Sequence, residues 1–280
     1  SVTSLGENAF QGCTALRTAY IGSGVETVPS SVFADDTSLQ TVTFNASADD
    51  VTVTAGAIPD GVEVIYLVKS IGDVGETIRD GADAPTLQQA IDGAPAGEET
   101  TLLIQKDIKL DQAVTVPAGK KIRLRAEGEN GYTITANQAN ALTDLIAVER
   151  GATLTLSGKL KLSGHYLTSA YGRGTIVDRG ALVVEEGVTI SDYNISSFNS
   201  GAVLVTGEGA TFEMNGGLIA KNRIVDAQIA GAVLLLDRAE FVMNSGRIAA
   251  NQCSGGNAFL TSSGVMVTVG CTFSLQGGEI

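Results

Sequence analysis

Two copies of one segment open with Gly201-Ala-Val-Leu-Val205 and Gly231-Ala-Val-Leu-Leu235. The copies close with Phe212-Glu-Met-Asn-Gly-Gly-Leu-Ile-Ala-Lys-Asn222 and Phe241-Val-Met-Asn-Ser-Gly-Arg-Ile-Ala-Ala-Asn251. The offset is 231 − 201 = 30 at the opening and 241 − 212 = 29 at the close. A constant period of this size is typical of a stacked repeat architecture. Apolar residues alternate within each copy and Gly or Asn interrupts them, which predicts short strands, with one rung of a parallel β-helix per period.

The same pattern extends to both sides of this pair of copies. Five pairs of apolar residues recur at two-residue spacing: Leu154/Leu156, Leu182/Val184, Phe212/Met214, Phe241/Met243 and Phe273/Leu275. Two residues before each pair lies a small residue: Ala152, Gly180, Ala210, Ala239 and Cys271. We therefore predict that these positions stack in an apolar interior. Asn222 and Asn251 are expected to form an internal amide ladder that satisfies the backbone of the turns.

A shorter repeat occupies the start of the chain. The pattern Val2-x-x-Leu5-x-x-x-Ala9-Phe10-x-x-Cys13-x-x-Leu16-x-x-Ala19-x-Ile21 returns as Val25-x-x-Val28-x-x-x-Val32-Phe33-x-x-Asp36-x-x-Leu39-x-x-Val42-x-Phe44, with an offset of 25 − 2 = 23. One strand and one helical turn per repeat is the pattern of a leucine-rich-repeat solenoid. A degenerate third copy, ending in a strand with Val62, Val64 and Tyr66, is expected to close this solenoid.

The first repeat carries a family resemblance. Its stretch Ser4-Leu-Gly-Glu-Asn-Ala-Phe-Gln-Gly-Cys-Thr-Ala-Leu16 resembles the BspA-like family of bacterial surface leucine-rich-repeat proteins. The second copy departs from the family pattern, because Asp35-Asp36 replaces Gly12-Cys13, and we expect this rung to lie near an end or to tolerate water. The resemblance implies a secreted or surface protein, and several family members are implicated in adhesion to host or matrix components.

A second resemblance covers residues 86–280. The stretch Thr86-Leu-Gln-Gln-Ala-Ile91 predicts a short amphipathic helix that covers the open end of a solenoid, and short alternating runs follow, among them Val114-Thr-Val-Pro-Ala-Gly-Lys-Lys-Ile-Arg-Leu124. Together they resemble the start of pectate-lyase-like right-handed parallel β-helix proteins, particularly non-catalytic surface proteins of gut bacteria.

The expected organisation is therefore mainly β. Leucine-rich repeats are expected over residues 1–67, a linker over 68–85, and a right-handed parallel β-helix with an N-terminal capping helix over 86–280. Ser1 begins within a repeat and Ile280 ends within a coil, so we expect both ends to be cut and leave a leader or an anchor open.

Charge and hydropathy restrict the partners. The net charge of −13 and the pI near 4.5 argue against nucleic acid or an anionic membrane, because phosphate binding needs clustered Lys and Arg. No run of residues approaches the eighteen apolar positions of a membrane span. The composition favours an extracellular or cell-surface bacterial protein.

The three cysteines do not form a disulfide framework. Cys13 and Cys271 occupy apolar repeat positions and are expected to be buried thiols. A bridge between Cys253 and Cys271 stays open. No metal site or other cofactor is expected, because three scattered cysteines and one histidine lack the spacing of metal ligands.

Two turn insertions carry the candidate binding residues. The first, between Leu162 and Gly174, contains His165, Tyr166, Tyr171 and Arg173, and the second, between Ile190 and Gly201, contains Tyr193. Variable loops of solenoids lie on one face, which is often the binding face. Tyrosine beside arginine and aspartate suits stacking on a sugar ring, but shielding of the backbone along the outer β-surface is the commoner role of such aromatics.

A catalytic alternative stays open, because pectate-lyase-like folds include polysaccharide lyases and glycoside hydrolases. Asp178-Arg179 and Asp237-Arg238 occupy comparable turns with Glu208 in the rung between them, and we interpret them as solvated turns with surface ion pairs. No residue is assigned a catalytic role. The favoured function is a non-enzymatic adhesin, or else a stalk, that contacts host or matrix glycan or protein in an unknown oligomeric state.

Overall fold

The structure of the chain is a computed structural model. It describes residues 2–22, 24–44, 46, 51–66, 68–71, 87–126, 130–168, 173–196, 199–225, 229–254 and 260–280. The chain is mainly β and divides into two compact units, Ser1–Ser70 and Ile71–Ile280. Part of the expected linker, Val68–Ile71, forms a strand, and residues 72–86 lie outside the described residues.

The first unit is a stack of parallel strands. Its strands are β1 (Thr18–Ile21), β2 (Thr27–Val28), β3 (Thr41–Phe44), β4 (Thr52–Val53) and β5 (Glu63–Tyr66). The next strand along the chain, β6 (Val68–Ile71), is not part of this stack. In one sheet β1, β3 and β5 pair in parallel, and β2 pairs with β4. Thr18 lies opposite Thr41, so the strand offset of 41 − 18 = 23 equals the sequence period. The predicted last strand of the third copy is confirmed as β5.

Turns, and no helix among the described residues, connect the strands of this unit. Left-handed backbone occurs at Asn8 and Gly12 in the first repeat and returns at Ser31 and Asp35 in the second. Asp35 therefore adopts the conformation of the glycine it replaces, which an aspartate tolerates better than most side chains. The expected helical turn is thus a run of tight turns with the same period.

The burial of two side chains corrects the expectations for these turns. Asp36 is buried, with 3 % of its surface exposed, although its rung was expected to lie near an end of the solenoid or to tolerate water. Cys13, at the equivalent position, is exposed. Among the described residues, the repeat that contains Cys13 pairs with one other repeat, whereas the repeat that contains Asp36 pairs with two.

The second unit is a β-solenoid of about seven turns that begins with one helix. The helix is α1 (Leu87–Asp92). The first three rungs contain β7 (Glu99–Ile104), β8 (Ile108–Leu110), β9 (Val114–Val116), β10 (Lys121–Ala126), β11 (Tyr132–Ala136), β12 (Ile146–Val148), β13 (Thr153–Gly158), β14 (Leu160–Ser163) and β15 (Ile176–Asp178). The later rungs contain β16 (Ala181–Val184), β17 (Thr189–Ser191), β18 (Asn194–Ser196), β19 (Asn199–Thr206), β20 (Thr211–Ala220), β21 (Arg223–Val225), β22 (Ile229–Leu236), β23 (Glu240–Ala249), β24 (Gln252–Cys253), β25 (Leu260–Val267) and β26 (Thr272–Leu275).

These strands stack into columns of parallel pairs. The first column runs through β7, β10, β13, β16, β20, β23 and β26, and the second through β8, β11, β14, β17 and the C-terminal halves of β20 and β23. The third column contains β9, β12, β15, β19, β22 and β25, and a short fourth column contains β18, β21 and β24. Each rung is one sequence period, which confirms the prediction of a parallel solenoid.

The predicted register of the first column is confirmed position by position. Leu154 lies opposite Leu182, Leu182 opposite Phe212, and Phe241 opposite Phe273. The rings of Phe212 and Phe241 stack with centroids 4.4 Å apart. Backbone hydrogen bonding between rungs continues at the small residues that precede these pairs. The Ala210 carbonyl, for example, accepts a hydrogen bond from the next rung.

Glycines form the corner between the first and second columns. Left-handed backbone recurs there in successive rungs at Gly158, Gly187, Gly217, Gly246 and Gly278. A Cβ added to Gly246 would lie 2.7 Å from the Gly216 carbonyl oxygen below it. The rungs can therefore bend and stack at this corner only without a side chain.

The helix α1 covers the first rung as predicted. Leu87, Ala90 and Ile91 are buried in the same apolar cluster as the interior of the solenoid. The Gln88 side-chain amide also donates to the Thr115 carbonyl and accepts from the Thr115 N–H. The helix therefore shields the apolar interior and satisfies the backbone of the edge strand β9.

The predicted asparagine ladder is also present. The Asn222 side-chain amide donates to Asn251 Oδ1 over 3.0 Å and to the Ile190 carbonyl over 3.2 Å. Asn251 in turn donates to the Ile219 carbonyl. The ladder therefore satisfies turn carbonyls that would otherwise be buried without a partner.

Candidate functional site

The loop after β14 presents an exposed aromatic pair. The rings of His165 and Tyr166 meet edge to face, with centroids 4.3 Å apart. Both side chains are exposed, and 39 % of Tyr166 is accessible. An edge-to-face pair leaves part of the ring surfaces free for a third partner, such as the apolar face of a sugar.

Backbone contacts fix this loop to the rungs on either side. The Gly164 N–H donates to the Ser191 carbonyl over 2.8 Å, and the Thr168 N–H donates to the Leu142 carbonyl over 2.7 Å. Leu167 between them is buried. A Cβ on Gly164 would lie 2.8 Å from the Cα of Tyr193, so the loop can approach the next rung only through glycine. The aromatic pair is thus held between two anchored residues.

Arg173 ends the same insertion and is paired with a buried carboxylate. Its guanidinium lies 3.4 Å from Asp144 Oδ2, and the Asp144 side chain is only 5 % exposed. Thr143 donates a hydrogen bond to the other Asp144 oxygen. Part of Arg173 stays exposed and could contact a ligand. Tyr171, the fourth candidate of this insertion, lies outside the described residues.

Tyr193 is a core residue, which corrects its assignment as a binding candidate. None of its surface is exposed, and its hydroxyl lies 2.9 Å from Ser200 Oγ. Burial raises the pKa of its phenol well above the ordinary value, so the ring stays neutral. A ring without exposed surface cannot stack on a ligand.

A signal for this burial was present in the sequence. Tyr193 precedes Asn222 by 29 residues, and Asn222 precedes Asn251 by the same number. The Tyr193 N–H donates to Asn222 Oδ1, so the tyrosine occupies the ladder position of its rung. Extending the asparagine spacing by one period would have placed Tyr193 inside.

A charged pair joins the strand before the aromatic loop to the next rung. Lys161 Nζ is 2.7 Å from Asp192 Oδ2, which also accepts a hydrogen bond from Ser191. Partial burial raises the pKa of Asp192, but the hydrogen bonds and charge of Lys161 outweigh it and lower the pKa overall. Ser163 and Ser191, which follow one another in register, place this pair beside the loop that begins at Gly164. The sequence pointed to the aspartate but missed the lysine.

The turns at Asp178 and Asp237, which were predicted to be comparable, differ in burial. Asp178 has no exposed surface, whereas Asp237 is exposed and accepts a hydrogen bond from Thr206. The two turns are therefore not comparable. Surface ion pairs do occur, but they join adjacent rungs through glutamates: Arg179–Glu149 and Arg238–Glu208, each at 3.4 Å.

The cysteines of the solenoid are free thiols. Cys253 and Cys271 are both partly buried and are not bridged. Burial raises the pKa of the Cys253 thiol to about 11, so the thiolate is scarce at neutral pH. Both thiols pack against the apolar interior.

A shallow groove follows the glycine corner over three rungs. Its volume is about 470 Å³, and its lining includes Glu186, Thr189, Asn215 and Ser245 beside the corner glycines. Asn244 donates to Asn215 Oδ1 on the edge of this region. The groove is a second polar surface, distinct from the aromatic loop.

Comparisons with known proteins do not identify the chain: no protein family, curated protein or solved structure matches it. Within the described residues, no three His, Cys, Asp or Glu side chains lie together as metal ligands would. The described part of the chain also contains no helix with the length and hydropathy to cross a membrane.

Proposed function

We propose that this chain is a non-enzymatic binding module of a secreted or cell-surface bacterial protein. In this proposal the first unit is a BspA-like leucine-rich-repeat solenoid and the second is a right-handed, pectate-lyase-like β-helix. The 23-residue strand offset of the first unit and the capped, stacked rungs of the second support these assignments. The second unit would present a binding loop from its stacked rungs.

The observation that carries the proposal is the exposed His165–Tyr166 pair on an anchored loop. An aromatic face that is held in place loses little conformational entropy when a ligand stacks on it. Arg173 follows the loop, and the ion pair between Lys161 on β14 and Asp192 after β17 lies on its other side. Both supply hydrogen-bonding groups for hydroxyls. These features suit a host or matrix glycan, or a glycosylated protein.

Binding is a better proposal than catalysis for the residues weighed in the turns. Asp178 has no exposed surface with which to contact a polysaccharide, and Glu208 lies in an ion pair with Arg238. A single stacked sugar contact is weak, so we expect useful affinity to come from several copies on one surface.

A glycan and matrix-protein array tests the proposal. The full chain would be compared with Tyr166→Ala and with Tyr20→Ala, which removes an exposed tyrosine from the first unit. We expect at least one specific ligand, with about fivefold weaker binding for Tyr166→Ala, since losing a stacked ring removes on the order of 1 kcal/mol. The Tyr20→Ala control should bind as the parent does.

Two results would contradict this proposal. Equal binding by the parent and Tyr166→Ala would place the ligand elsewhere, with the glycine-corner groove as the next surface to alter. No binding to any glycan or matrix protein would favour a stalk that only spaces other domains from the cell.

A further inference from the structure

Asp178 stands in a column that is otherwise aliphatic. In the third column, the register runs from Val116 through Val148 to Asp178 and then through Val205 to Leu235. All five side chains are buried, and Asp178 has no exposed surface. A carboxylate at an interior position of a solenoid is expensive unless it is paired or protonated.

The length of one turn explains why an aspartate occupies this position. The turn after β15 spans 181 − 178 = 3 residues in register, whereas the turn of the preceding rung spans 153 − 148 = 5. The longer turn is closed by a backbone hydrogen bond from Ala152 to Glu149. In the short turn, the Gly180 N–H donates instead to Asp178 Oδ1 over 2.9 Å. The carboxyl group thus replaces the missing backbone carbonyl.

The second oxygen of this carboxyl group has no hydrogen-bond partner among the described residues. This atom, Asp178 Oδ2, is buried. The charged residues of this turn and of the equivalent turns in the two neighbouring rungs are Glu149, Arg150, Arg179 and Glu208. Arg179 is paired with Glu149 and Glu208 with Arg238, so neither is directed at Asp178.

We propose that Asp178 is an acid-stabilised latch between the third and fourth rungs. When protonated, the carboxyl group closes the short turn and carries no charge. When ionised, it places an unpaired charge in the apolar column and loosens the turn around Gly180. The solenoid then opens most readily at this joint as the pH rises.

The direction of the pH dependence follows from the environment of the carboxyl group. Burial raises the pKa of Asp178 from 3.8 to about 7, and the hydrogen bond from Gly180 opposes this only in part. The folded state therefore holds a proton that the unfolded state releases near pH 4. The stabilisation is complete below about pH 4 and is lost as the pH rises to about 7, with the unfolding equilibrium constant rising about tenfold per pH unit between these limits.

Asp178→Asn tests the latch, because asparagine keeps an oxygen for the Gly180 N–H and cannot ionise. Asp237→Asn in the exposed turn is the matched control. Thermal unfolding would be followed from pH 4 to pH 8.5 in the parent and both variants. We expect the melting temperatures of the parent and Asp237→Asn to fall relative to Asp178→Asn across this range. We also expect Asp178→Asn to be the most stable of the three at pH 8.5.

Titration of the Asp178 carboxyl group in the parent protein tests the proposal even if Asp178→Asn folds poorly. The carboxyl carbon of Asp178 can be followed by NMR in the parent, together with hydrogen exchange at the amides of Gly180 and Ala181. We expect a titration midpoint near pH 7 and faster exchange at these two amides above it. A midpoint below pH 5, or the same pH dependence of stability in the parent and a folded Asp178→Asn, would overturn the proposal.

Discussion

Asn222 shows how much depends on one interior side chain. Only 1 % of its surface is exposed. Its amide connects the Tyr193 N–H and the Ile190 carbonyl of one rung with Asn251 of the next. A small apolar residue at this position would fill part of the space but leave these backbone groups buried without partners. Losing one partner of a buried hydrogen bond lowers stability more than losing both.

Asn222→Ala is therefore expected to destabilise the solenoid by about 2–4 kcal/mol, because several buried polar groups lose their partner together. Asn244→Ala is the matched control. Asn244 also donates to an asparagine one rung away, but it is exposed, and its loss should change stability by less than about 0.5 kcal/mol. Urea unfolding followed by hydrogen exchange in β17 and β20 measures both. Equal losses for the two variants would show that stacking of asparagines, rather than burial, is what stabilises these corners.

The helix α1 stabilises the end of the solenoid at which the columns of strands begin. The strand β9 begins the third column, and its Thr115 backbone makes two hydrogen bonds with the Gln88 amide: the Thr115 carbonyl accepts one and the Thr115 N–H donates the other. The side chain therefore acts as a short substitute strand. Lys120 adds a bond to the Asp92 carbonyl at the end of the helix. Polar contacts thus complement the burial of the apolar helix face.

Gln88→Ala tests this role of the helix. It removes both bonds to Thr115 and should cost about 1–2 kcal/mol, because two edge-strand groups lose a partner while helix propensity changes little. Gln89→Ala is the matched control, since Gln89 lies on the exposed side of the same helix. Hydrogen exchange at Thr115 should accelerate in the Gln88 variant and stay unchanged in the control. Unchanged exchange at Thr115 in both variants would mean that the apolar face alone caps the solenoid.

Strands were more predictable than turns. The register of Leu182 with Phe212 could be read from alternation and from the small residue before each pair, because every interior position must be apolar. The turn at Asp178 could not be read in this way. Its Asp-Arg sequence matches Asp237-Arg238, but the turn at Asp178 has fewer residues between the paired strand positions on its two sides. The same two residues therefore point in different directions, and the sequence motif alone does not reveal which.

The candidate site shows the same limit. Exposure of His165 and Tyr166 agrees with their place in an insertion, whereas Tyr193 lies in an insertion and is nevertheless buried. Residue type cannot separate the two cases, because a tyrosine suits both a binding face and an interior with a hydroxyl partner such as Ser200. Only the period distinguishes them.

At the scale of the whole solenoid, the strands of each rung pair with those of the neighbouring rungs, and the Arg123–Glu185 ion pair reaches across one intervening rung. The interior is one apolar cluster that extends along the stack, so the free energy of unfolding is expected to be close to a sum of terms for the rungs and for the interfaces between them. Phe241 is the middle member of a stack, with ring centroids 4.4 Å from Phe212 and 4.9 Å from Phe273. A change at Phe241 therefore alters two interfaces directly and distant rungs only through them.

Phe241→Ala should destabilise the C-terminal rungs by about 3–5 kcal/mol, as expected for truncating a buried ring, and should leave the first rungs nearly unchanged. Leu124→Ala makes the matched truncation in the second rung, where Leu124 is equally buried. Native-state hydrogen exchange resolves the rungs: protection in β20, β23 and β26 should fall for Phe241→Ala, and protection in β7, β10 and β13 for Leu124→Ala. Uniform loss of protection over all rungs in either variant would show that the solenoid unfolds as one cooperative body, with coupling that extends well beyond neighbouring rungs.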